Sequence, residues 1–106
     1  MPRSHKEVET LLIKLEHSLK NSHLWSETEP AAEAFTSIMP FAYDTMSLEN
    51  WLQFIFIPKM YDLIEKNAAL PNNMSLYPIA EMHFSNLKSR QALLNTIEQI
   101  DRIFND

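Results

Sequence analysis

The chain has 106 residues, a formal net charge of −5, 45% apolar and 22% charged residues, and neither cysteine nor glycine. That balance predicts one water-soluble domain over residues 1–106 with room for one core. It excludes disulfides, a thiolate nucleophile and cysteine-zinc clusters, and the missing glycine excludes phosphate-cradling loops, dinucleotide-binding turns and nucleophile elbows.

Tight hairpins that need positive φ are disfavoured without glycine, which argues against an antiparallel sheet. Helices are then expected to end on asparagine, with Asn21, Asn67, Asn72 and Asn73 standing where such ends are wanted. The first helix is predicted from Ser4, because Ser4 and Glu7 have capping-box spacing. Val8, Leu11, Leu12, Leu15 and Leu19 follow at helical spacing as one apolar stripe, and the helix should stop near Asn21.

Pro30, preceded by Glu29, suits the first turn of a short helix near residues 30–37. An extended corner follows around Pro40, since the residue before a proline avoids the helical region. Ser47 is a good N-cap for a second long helix, with Glu49 near its positive end. Leu48, Trp51, Leu52, Ile55, Phe56, Met60, Leu63 and Ile64 keep helical phase across Pro58. An interior proline removes one hydrogen bond and clashes with the Phe54 carbonyl at a cost of about 3 kcal/mol, so a kinked central helix is expected. Residues 51–57 are apolar almost all round, the pattern of a buried rod.

A turn-rich connection runs from Leu70 to Pro78, and a short helix can follow Pro78. The last helix is predicted from about Ser85 to Phe104, burying Leu87, Leu94, Ile97, Ile100, Ile103 and Phe104. The expected architecture is a compact all-α bundle of three long helices and one or two short ones. The N-terminus is broken by Lys6, Glu7 and Glu9 and resembles no signal peptide, and no apolar run approaches the ~20 residues of a membrane span. A cytoplasmic location is the default.

The stretch Pro40–Met60 carries a resemblance to a known family. Pro40-Phe41, Asp44-Thr45-Met46, Trp51-Leu52-Gln53 and Ile57-Pro58-Lys59-Met60 are similar to the pattern of the YqcC-like family of small bacterial proteins. The resemblance extends over nearly the whole chain. Lys59 stands where arginine is expected, keeping the charge but losing a bidentate fork, and Phe54 where a second tryptophan is expected. The family implies an all-helical fold and supplies no catalytic residue. In some bacteria its genes lie beside a tRNA pseudouridine synthase gene, which implies a role as an accessory factor to tRNA modification.

Charge is unevenly placed. All nine Lys and Arg lie outside the span from Asn21 to Pro58, where nine of the fourteen acidic residues balance them. Glu27, Glu29, Glu33, Asp44 and Glu49 therefore carry the whole net charge. A solvated acidic rim explains this without function; a docking face for a basic partner explains it with one, because complementary fields speed association. Direct nucleic-acid binding is disfavoured, since phosphates need clustered Lys and Arg.

Trp51, Gln53 and Pro58 are expected in the core, although a buried Gln53 amide needs partners from the chain or from an interface. Asp44 is expected to cap or turn, with Thr45 sharing that role. The four histidines make no ligand set: His17 and His23 do not share a helix face, Glu81 and His83 point to different sides, and no HExxH occurs. No catalytic residue, cofactor or metal is assigned. A noncatalytic module is favoured, docking a protein partner or a second copy of itself through Glu27, Glu29, Glu33, Asp44, Glu49 and Gln53. The alternative is an enzyme or small-molecule binder with a polar pocket where Asp44, Gln53 and His83 converge.

Overall fold

The leucine stripe of the first helix is buried as its spacing requires. In the computed structural model, which describes residues 5–39, 44–70, 75–86 and 90–104, α1 (His5–Asn21) buries Val8, Leu11, Leu12, Leu15 and Leu19. Cutting a fully enclosed leucine such as Leu15 to alanine costs about 2–5 kcal/mol. The expected Ser4 cap, the Pro40–Phe41 corner, Asn72, Asn73 and Leu87 lie outside the described residues.

A 3-10 helix (Ala32–Thr36) follows and buries none of its residues. It begins two positions beyond Pro30, later than the proline suggested. Next come α2 (Leu48–Trp51), a π-helical turn (Leu52–Phe56) and α3 (Ile57–Glu65), three windings joined end to end. The remaining helices are α4 (Tyr77–His83), with its proline in the first turn, and α5 (Arg90–Phe104). All described elements are helical, and the radius of gyration of 13.5 Å is near the ~13 Å expected of a folded chain this long.

The proline in the middle of the second long helix changes its winding. The Ile57 N–H reaches back five residues to the Leu52 carbonyl, one more than in an α-helix. The extra residue per turn sits just before Pro58, which has no N–H to give. It also widens the buried face, so Leu52, Gln53, Phe56, Ile57 and Met60 are all buried, while Trp51, Phe54 and Ile55 are half-buried. The observed feature is this π-turn, and the kink expected at Pro58 is not confirmed. Nor is the rod the most enclosed element: the most extensive helix–helix contact is between α1 and α5, whose Leu12, Leu15, Leu19, Leu93 and Ile97 are sealed from solvent. Phe56 joins the two parts of the core, stacking on Trp51 at 5.6 Å and meeting Phe104 edge-on at 6.4 Å between ring centres.

Helix ends are solved without glycine, though not all by the expected residue. After α1 the His23 N–H bonds to the Lys20 carbonyl (3.1 Å) and the Leu24 N–H to Leu19 (2.9 Å), with His23 at φ 60°. After α3 the same pair of bonds forms from Asn67 to Ile64 (3.1 Å) and from Ala68 to Leu63 (2.9 Å), with Asn67 at φ 53°. Both are Schellman motifs. Asn67 fills the left-handed position as expected, but Asn21 is the last helical residue and His23 takes that role. The last helix also differs: Ser85 and Asn86 belong to a turn after α4 rather than to the start of α5.

Candidate functional site

The π-turn aims Gln53 inward, and the buried amide finds its partners on the connection after α1. The Ser26 N–H donates to Gln53 Oε1 and Gln53 Nε2 donates to the Ser26 carbonyl, both at 2.8 Å. The Ser26 hydroxyl in turn donates to the Thr28 carbonyl at 2.8 Å and accepts from the Thr28 N–H at 3.2 Å. This is a local turn of the kind serine favours. Glu27 lies within the turn and Glu29 just beyond it, both exposed.

A second set of bonds holds the 3-10 helix against the entry to α2. Thr45 Oγ1 donates to the Ala34 carbonyl at 2.8 Å. The Ser37 hydroxyl donates to the Asp44 carboxylate and accepts from the Met39 N–H, the latter at 3.1 Å. Asp44 and Thr45 thus act as a clasp, not as a helix cap; the α2 cap is Ser47, whose hydroxyl accepts from the Asn50 N–H at 3.4 Å. The clasp displays exposed Glu33 together with Phe35, Ile38 and Met39, and Ile38 is 95% exposed.

At the start of α2, Glu49 Oε1 meets His83 Nε2 of α4 at 2.8 Å. Partial burial alone pushes the Glu49 carboxyl up. Its own backbone N–H, the His83 ring and the Ser47 side chain outweigh that and hold it below the usual carboxylate range. Met82, next to this pair, is 76% exposed.

Asp44, Gln53 and His83 share no hydrogen-bond partner. Asp44 is engaged by Ser37, Gln53 by Ser26 and His83 by Glu49. Among the described residues no group of three or more His, Asp or Glu could hold a metal ion, and no helix is long and apolar enough to cross a membrane.

Two polar ties were invisible in the sequence. Asp101 of α5 accepts from the Leu76 N–H (2.8 and 3.0 Å) and the Tyr77 N–H (2.7 Å), capping α4 from a different helix. The His5 ring donates to the Ala68 carbonyl at 2.9 Å, closing the start of α1 onto the end of α3. Sequence separations of 24–25 and 63 residues leave no local pattern to read.

Comparison with known proteins returns the same fold and the same family. A solution NMR structure of protein YqcC from E. coli matches with a TM-score of 0.84 and 34% identity, covering 96% of this chain and 88% of that one. The curated sequence of Escherichia coli, called uncharacterized protein YqcC, is 35% identical over 104 residues, 97% of this chain and 95% of the relative. An uncharacterized protein of Haemophilus influenzae is 39% identical over 95 residues, 90% of each chain. A protein of Pectobacterium carotovorum named tRNA pseudouridine synthase C is 40% identical over 67 residues, 63% of this chain but 18% of that protein. The model of the DUF446 family, described as tRNA pseudouridine synthase C, matches residues 7–103. Near-full-length agreement in sequence and in fold makes this chain a member of the YqcC-like, DUF446 family.

Proposed function

We propose that the protein is a noncatalytic docking module whose partner is a tRNA pseudouridine synthase, with residues 1–106 acting as one helical unit. The observation that carries this reading is the Pectobacterium relative, in which a segment similar to 63% of this chain makes up 18% of a polypeptide named for that activity. More than four-fifths of that polypeptide lies outside the match, leaving room there for the catalysis its name states. Joining two units in one chain replaces a bimolecular encounter by an effective concentration of about millimolar. The arrangement favours units that work together, and separate chains of the same two kinds are then natural partners.

Charge supports the same reading. A protein that handles tRNA presents Lys and Arg to phosphates, and the basic-free span offers Glu27, Glu29, Glu33, Asp44 and Glu49 as its complement. Gln53 acts from behind this face by fixing the turn that bears Glu27. Self-association through the same face would oppose like charges, and direct tRNA binding would oppose acid to phosphate.

The family description favours a second reading, in which the chain itself catalyses. The separate engagement of Asp44, Gln53 and His83 supports the noncatalytic one. Size-exclusion chromatography of the purified chain mixed with the purified synthase of the same genome tests the proposal. A complex eluting ahead of either component at low salt is expected; two independently eluting species at micromolar concentration would contradict it. Pseudouridine formation in tRNA by the chain alone would establish the catalytic reading instead.

A further inference from the structure

We infer that Ile38 is the apolar anchor of the docking face, seating in a pocket within the basic surface of the synthase; this rests on the function proposed above and names the contact it uses. Single exposed apolar residues are ordinary on protein surfaces. Ile13 on α1 is one, 46% exposed. Ile38 differs in three respects. Ile38 is 95% exposed, the highest of the exposed large hydrophobic residues among those described.

It is also held in place on both sides. Ser37 accepts from the Met39 N–H and donates to Asp44, so residues 37–39 form a turn with Ile38 at its tip, and Thr45 ties the preceding 3-10 helix through Ala34. A side chain displayed on a bonded turn loses little freedom on binding, which is how preorganised contacts gain affinity. Finally, its neighbours are of the kind that surround an anchor. Phe35 and Met39, each 37% exposed, lie within three residues of it along the chain, and the exposed acids Glu33 and Asp44 supply charge, Asp44 being bonded to the adjacent Ser37. An apolar centre inside a polar rim is the common anatomy of an energetic centre in an interface.

The charge of the rim selects the occupant. Between Asn21 and Pro58 the chain has no Lys or Arg. A second copy would bring the same acidic rim, and an anionic lipid surface would be repelled. A basic partner surface with an apolar recess fits, and the synthase is the partner the proposed function supplies.

Isothermal titration of the purified full chain into the purified synthase tests the inference, with Ile38→Asp, Ile38→Ser, Glu29→Lys/Glu33→Lys and the control Ile13→Asp, each checked for native helicity by circular dichroism. Ile38→Asp is expected to weaken Kd at least tenfold and the double charge reversal severalfold, with Ile13→Asp unchanged. Ile38→Ser, which adds no charge, is expected to weaken binding in the same direction and serves should the aspartate variant lose helicity. Wild-type binding that neither Ile38 variant alters would overturn the anchor while leaving the proposed partner in place. No binding by the wild type would overturn both.

Discussion

Gln53 and Ser26, 27 positions apart, exchange two hydrogen bonds of 2.8 Å, side-chain amide against backbone amide. The pair lets one buried polar side chain satisfy both the N–H and the carbonyl of Ser26. It also links the π-turn, a consequence of the winding ahead of Pro58, to the placement of the acidic turn at Glu27.

Replacing Gln53 with leucine keeps most of the volume but strips both Ser26 groups of their partner. A cost of about 1–3 kcal/mol is expected, the penalty of leaving such groups unpaired. Urea unfolding of wild type and variant measures it. An unchanged midpoint would mean that the Ser26 pairing contributes nothing to stability.

Asp101 caps a helix to which it does not belong. Asp101→Ala should destabilise by about 1–2 kcal/mol, in the range of strong N-cap losses. Faster amide exchange at Leu76 and Tyr77 should accompany it, since their N–H groups are the ones released. Asp101→Asn, which keeps an acceptor oxygen, should recover part of the loss.

His23 occupies a left-handed position at φ 60° that costs a residue with a Cβ about 1–2 kcal/mol. Glycine pays more chain entropy but no such steric penalty. His23→Gly is therefore expected to stabilise by about 0.5–1 kcal/mol in thermal or urea unfolding, and a loss of stability would mean that the exposed imidazole makes an energetic contact.

Glu49 gives a pH dependence with a defined sign. Its folded pKa lies below the ordinary value of 4.5, so the folded state holds its proton more weakly than the unfolded chain does. The resulting stabilisation is fully present above about pH 4.5 and is lost as pH falls through the lower folded value. Unfolding of wild type and Glu49→Gln between pH 7 and 3 should show a gap that closes below pH 4.5. A gap constant with pH would contradict the assignment.

What could be read from the sequence was what lies close together along it. The Val8–Leu19 stripe, the Ser47 cap and the left-handed Asn67 all depend on neighbours within two turns of helix, and all three appear in the structure. α1 ends at Asn21 as its sequence suggests, but the left-handed residue is His23, because helix register rather than the asparagine preference decides which residue reaches that position. Ser85, suited to a helix start by residue type, belongs instead to the turn after α4. The candidate site was less legible still. Glu49–His83, Gln53–Ser26 and Asp101–Leu76 span 34, 27 and 25 residues, and only folding brings such partners together. The basic-free span, by contrast, was visible as a plain absence of Lys and Arg.

Amide hydrogen exchange on the chain with and without the purified synthase of the same genome tests the docking proposal most directly. Added protection is expected over residues 26–39 and 44–49, with α1 and α5 exchanging as before. Identical exchange in the two samples, or protection confined to α1 and α5, would contradict a partner docked on the acidic face.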